Sequence, residues 1–96
     1  MPGENILVVD DDVKVIEMLR QVLRTFNFIG VTNGQEALLS LKEQKSIDLI
    51  LLDYKLESES GLDVLKKIKS MNLFLGVVML TAFGSKDVVI QSLDAQ

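Results

Sequence analysis

Ninety-six residues make at most one domain, because a single core usually takes about 100–150 residues. Apolar residues are 48% and charged residues 25%, the balance of an ordinary globular chain, which excludes intrinsic disorder. A net charge of −4 is a poor basis for holding nucleic-acid phosphates, and zero Cys and zero His exclude disulfides, thiolate or imidazole zinc sites, and His-based nucleophilic pairs.

The start, Met1-Pro2-Gly3-Glu4, lacks the basic region of a signal peptide. The greasy stretch Leu73 to Leu80 is interrupted by Gly76 and is far short of the roughly 20 apolar residues that span a bilayer. The expectation is a cytoplasmic chain with no membrane partner and no direct nucleic-acid partner.

Ile6-Leu7-Val8-Val9 is a continuous apolar run ending in Asp10-Asp11-Asp12, the pattern of a strand buried on both faces. From Val13 to Phe26 the positions Ile16, Leu19, Leu23 and Phe26 recur at helical steps and define one helix face. Phe28 to Thr32 is a short strand. Asn33 with Glu36 forms a capping box, and Ala37, Leu38 and Leu41 continue a second helix. Asp48 to Leu52 is another buried strand, closed by Asp53 and the polar loop Glu57-Ser58-Glu59-Ser60. Ser60 with Asp63 caps a third helix that turns Leu62, Leu65 and Ile68 inward and carries Lys66, Lys67 and Lys69 on a solvated face. Gly76 to Leu80 is the fourth strand, terminated by Thr81-Ala82. Ser85 caps a fourth helix, with Asp87 in its first turn and Val89 and Leu93 on one face.

Strands alternating with helices predict an α/β fold, a doubly wound parallel sheet with right-handed crossovers. Ligands of such sheets bind at the carboxyl ends of the strands. Those ends here carry Asp10, Asp11 and Asp12 after the first strand, Asp53 after the third and Thr81 after the fourth. Carboxylates crowded together resist ionising, and a divalent cation relieves the conflict. All-oxygen ligands favour magnesium, with manganese or calcium as alternatives, and magnesium with carboxylates suits phosphoryl transfer. Each residue also has a plainer role: Asp11 or Asp12 as a helix N-cap, Asp53 as a turn residue, Thr81 as a strand-end hydroxyl bonded to backbone.

Together, Ile6-Leu7-Val8-Val9-Asp10-Asp11-Asp12, Asp48-Leu49-Ile50-Leu51-Leu52-Asp53, Gly61, and Val78-Met79-Leu80-Thr81-Ala82 resemble a receiver domain of a two-component response regulator, from Asn5 to about Leu93. The resemblance implies a flavodoxin-like fold with strand order 2-1-3-4 as one domain over residues 1–96. It implies that Asp53 accepts a phosphoryl group from a sensor histidine kinase or a phosphotransfer protein. It implies that Asp11 and Asp53 bind Mg2+ (or Mn2+) directly, that Asp10 acts through water, and that Lys55 adds its backbone carbonyl. It further implies that Thr81 contacts the phosphoryl group and that Ala82 leaves room for it. It implies as well that the domain acts as a signalling module, with at most self-phosphorylation and self-dephosphorylation, and that the donor imidazole belongs to the partner.

The sequence departs from the family pattern at Glu57, where a proline is usual, and at Ser60, often an acid; the first makes the loop looser. Receiver domains continue into a fifth strand and fifth helix with a lysine after that strand, and these fall past Gln96, so the resemblance implies truncation after the fourth helix. Without that strand, Val77 to Leu80 is expected to be an exposed apolar edge through which the chain self-associates. Two other readings stand beside this one. A degenerate receiver that works only as a protein-interaction module is separated by whether Asp53 takes up a phosphoryl group. An aspartate-nucleophile phosphatase, which the spacing of Asp10 and Asp12 permits, is separated by sustained phosphate release.

Overall fold

The computed structural model describes residues 4–43, 46–56, 59–71 and 75–80, and the backbone of 81–82 and 88–94. Its elements in chain order are β1 (Asn5–Val9), α1 (Val13–Val22), β2 (Asn27–Val31), α2 (Gly34–Glu43), β3 (Leu49–Asp53), α3 (Gly61–Ser70), β4 (Gly76–Ala82) and β5 (Val88–Asp94). They form one sheet in the order β2-β1-β3-β4-β5. The first four strands are parallel, so the expected order 2-1-3-4 is present.

Side chains alternate across the sheet because successive strand residues point to opposite faces. Leu7, Val9, Ile50, Leu52, Val77 and Met79 pack with Ala37 and Leu41 of α2 and with Val64, Leu65 and Ile68 of α3. Ile6 and Val8 take the other face, under Ile16 of α1, with Leu19, Leu23, Phe28, Leu49 and Leu51 around them. Both faces of β1 are thus covered, which is why its run is apolar without alternation.

The helices start where capping residues were expected. Asp12 caps α1 by accepting the Lys14 N–H at 2.9 Å. Ser60 Oγ accepts the Leu62 N–H at 3.1 Å. Asn33 Oδ1 accepts the Glu36 N–H at 2.8 Å, but the Glu36 carboxylate does not complete a reciprocal box and instead takes the Thr32 N–H at 3.2 Å. Two inward positions differ from the expected ones. On α3 Val64 is buried with Leu65 and Ile68, while Leu62 is 39% exposed, and Phe26 lies beyond the end of α1. Lys66, Lys67 and Lys69 are exposed.

The expected fourth helix is corrected. Val88–Asp94, including Val89 and Leu93, is a strand antiparallel to β4, with Thr81 opposite Val89 and Ala82 opposite Val88. The proposed cap residues Ser85 and Asp87 lie outside the described residues. The physical reason is the edge itself: β4 carries a row of backbone groups that need partners, and the β-branched run Val88-Val89-Ile90 suits a strand. The expectation of a free β4 edge fails for the same reason, since β5 pairs along its length.

Candidate functional site

The register of the sheet sets the site. Val9 pairs with Leu52, so Asp10 and Asp53 are the next residues on neighbouring strands; Asp53 in turn pairs with Leu80, one residue before Thr81. Asp10 leaves β1 held by its own N–H, which donates to the Val31 carbonyl at 3.1 Å. At this rim one carboxylate oxygen each from Asp10, Asp11 and Asp53 lie within 4.8 Å of one another. Asp10 is buried, Asp53 half-buried and Asp11 exposed. Asp12 is not in the cluster; its carboxylate is spent on the α1 cap.

Few donors offset these charges. Asp10 Oδ1 accepts the Asp12 N–H at 2.8 Å, and Asp53 Oδ1 accepts the Lys55 N–H at 3.3 Å. Burial is the largest cause that raises Asp10 from the ordinary aspartate value of 3.8 to about 6; the charges of Asp53, Asp11 and Asp12 add to it, and the Asp12 N–H works against it. Asp53 is also raised, chiefly by burial and then by Asp11, against the lowering N–H groups of Lys55 and Tyr54. Both carboxyls therefore hold protons more tightly than free aspartate does. Three carboxylates drawn to within one ligand's reach, with no nitrogen or sulfur donor in the set, fit a hard divalent cation such as Mg2+ or Mn2+.

The loop after Asp53 is shaped by one glycine. A Cβ on Gly61 would collide with the Asp53 carbonyl, so α3 can start against the end of β3 only with glycine there; the Gly61 N–H donates to the Tyr54 carbonyl at 2.7 Å. Lys55 forms an isolated antiparallel bridge with Ser60, and the Leu56 N–H donates to the Glu59 carbonyl at 3.1 Å. The Lys55 backbone thus stands in a closed loop next to Asp53. Thr81 and Ala82 are placed by their backbone on β4 at the same rim. Glu57 lies outside the described residues.

One contact was not legible in the sequence. Glu59 Oε2 accepts the N–H of Gly34, the first residue of α2, at 3.0 Å. The two residues are 25 positions apart, and no local motif announces the pair.

Residues 6–96 match the family model of the response regulator receiver domain. The transcriptional regulatory protein ZraR of Klebsiella oxytoca is 36% identical over 97 residues, covering 97% of this chain and 22% of ZraR. The chain thus spans about a fifth of the length of that relative. Among solved structures, the response regulator TrrA of Thermotoga maritima in complex with Mg2+ and BeF superposes with a TM-score of 0.77 at 31% identity, over 84% of this chain and 71% of TrrA. The Saccharomyces cerevisiae complex of the histidine phosphotransfer signalling protein Ypd1 with the receiver domain of Ssk1 gives a TM-score of 0.77 at 29% identity, over 88% of this chain and 68% of the matched one.

Proposed function

The chain belongs to the response regulator receiver family, and from that premise we propose that Asp53 accepts a phosphoryl group from a phosphohistidine of a sensor histidine kinase or phosphotransfer protein. A carboxylate oxygen of Asp53 attacks phosphorus, an acyl phosphate O–P bond forms, and the P–N bond to the donor imidazole breaks, its electron pair returning to that nitrogen. The imidazole comes from the partner, since this chain has no histidine. A phosphotransfer protein co-crystallised with the receiver domain of Ssk1 supports a partner of this class.

Each residue contributes something separable to that step. Asp53, last in β3 and only half-buried, presents its carboxylate at the rim. Asp11, exposed, and Asp10, buried, supply the other carboxylates that would hold Mg2+ or Mn2+, with the Lys55 carbonyl as a further oxygen donor. When bound, the cation neutralises charge on carboxylate and phosphoryl oxygens that would otherwise repel each other. Thr81, one step past the residue paired with Asp53, contacts the phosphoryl group, and Ala82 leaves it space. We read residues 1–96 as one receiver unit and its location as cytoplasmic. It takes up one phosphoryl group per chain as a signal and does not turn over substrate.

The convergence of the Asp10, Asp11 and Asp53 carboxylates carries this reading. Its test is incubation with Mg2+ and a small-molecule phosphodonor, followed by intact-mass measurement. A gain of one phosphoryl group that disappears in Asp53→Asn is the expected result. No gain in the unsubstituted protein overturns the reading in favour of an interaction module.

A further inference from the structure

The acceptor loop is also anchored at the start of α2. The Glu59 carboxylate receives the backbone N–H of Gly34 at 3.0 Å. That N–H is one of the first donors of α2, which the helix itself cannot satisfy, and the helix dipole favours an anion there. Asn33 already serves the Glu36 N–H, so Glu59 and Asn33 each take one of the first donors of α2.

Gly34 is shaped for this contact. It is buried, and a Cβ there would come within 2.6 Å of both Glu59 Oε2 and Val64 Cγ2. A side chain at this position would displace the Glu59 carboxylate or Val64 from the start of α2. The other end of the tie leads back to the site. The Glu59 carbonyl receives the Leu56 N–H at 3.1 Å, Ser60 bridges Lys55, and the Lys55 N–H donates to Asp53 Oδ1 at 3.3 Å. A short chain of contacts, through the Glu59 carboxylate and the loop backbone, therefore joins α2 to Asp53 Oδ1.

We infer that Glu59, through the Gly34 N–H, is a positioning residue for the phosphoacceptor site: it fixes the loop that holds the Lys55 backbone beside Asp53. It touches neither the phosphoryl group nor the cation. The inference rests on the proposed function only for its consequence, tighter cation binding and faster phosphoryl uptake; the tie itself is independent of it.

The test compares the unsubstituted chain with Glu59→Ala, Glu59→Gln and Gly34→Ala. Amide hydrogen exchange is read at Lys55 and Gly61, with Leu7 as a reference for global folding. Mg2+ affinity is read from the fluorescence of Tyr54, the sole tyrosine in a chain without tryptophan. Glu59→Ala and Gly34→Ala are each expected to speed exchange at Lys55 and Gly61 about tenfold while leaving Leu7 unchanged. Both are expected to weaken Mg2+ binding about tenfold, as supporting residues of a cation site commonly do. Glu59→Gln keeps an oxygen that accepts the Gly34 N–H and is expected to restore both readouts. Because the two residues share one contact, the double alanine variant is expected to be no worse than either single one.

Unchanged exchange at Lys55 and Gly61 in Glu59→Ala overturns the inference, as does faster exchange with unaltered Mg2+ affinity. If the unsubstituted chain binds no Mg2+, the proposed function falls, and the exchange data alone then decide whether Glu59 fixes the loop.

Discussion

The two ends of the sheet treat their acids in opposite ways. At the amino end, Asp48 sits just before β3 and its carboxylate accepts the Asn5 N–H at 2.8 Å, while the Asn5 side chain donates to the Ser46 carbonyl at 2.8 Å. The backbone there is closed too: the Asp48 N–H donates to Asn5 at 2.9 Å and the Gly76 N–H to Asp48 at 3.1 Å. At the carboxyl end, where the same strand runs from Leu49 to Asp53, three carboxylates face each other, and the backbone N–H groups of Asp12, Lys55 and Tyr54 offset their charge only in part. One rim uses an acid to fasten the start of three strands. The other keeps its acids under mutual repulsion, a condition that costs stability and that a bound cation relieves.

Substitutions break or sharpen that asymmetry. The largest effect is expected from Gly61→Ala, which drives a methyl group into the backbone at the end of β3 and costs about 3 kcal/mol in denaturant unfolding. Asp10→Asn is expected to act in the opposite sense. Because burial raises folded Asp10 from 3.8 to about 6, the native state holds more protons than the unfolded chain in that window, so stability falls as pH rises from 3.8 to about 6. Without divalent cations, Asp10→Asn should therefore stabilise the protein at pH 7.5 by on the order of 2 kcal/mol and flatten its thermal-stability profile across that window. In the unsubstituted chain, millimolar Mg2+ should restore the lost stability, and Mg2+ affinity should drop as pH is lowered through about 6, where protons compete for Asp10. A profile that rises with pH in the absence of cations would show that the acids are not in conflict.

Smaller effects test the fastenings. Asn33→Ala removes the side-chain acceptor at the start of α2 and is expected to cost about 1 kcal/mol. Asp48→Ala, at the amino rim, is expected to cost about 0.5–1 kcal/mol and to leave Mg2+ affinity where it was, as read by the same Tyr54 titration. If Asp48→Ala weakened Mg2+ binding as much as Asp10→Asn, the two rims would not be separate in function.

Much of this arrangement is written locally in the chain. The runs Ile6 to Val9 and Leu49 to Leu52 announce buried strands, and Asp12, Asn33 and Ser60 announce helix starts, because capping depends on residues only two or three positions away. The acids of the site were legible for a related reason: in a parallel sheet every strand delivers its last residue to the same rim. What escaped depends on distant neighbours. Val88 to Asp94 carries apolar residues at helical spacing, yet the unpaired edge of β4 recruits it as a strand, and tertiary demand outweighs local preference. Leu62, expected to face inward with Leu65 and Ile68, is exposed, and Val64 is buried beside them, because spacing alone fixes the phase of a helix only to within a residue or two. The Glu59 and Gly34 contact joins two loops that sequence reading treats separately.

The antiparallel pairing of β4 with β5 also bears on how the chain assembles. β1 must find β2 across all of α1, and β3 across two helices, before either pairing is rewarded, whereas β4 and β5 are separated only by residues 83–87. Closing a short hairpin takes microseconds, while contacts between remote segments carry a larger loop-closure cost. Of these five strands β4 and β5 are thus the first able to zip together, and they offer a preformed two-stranded ledge on which the slower part of the sheet can dock.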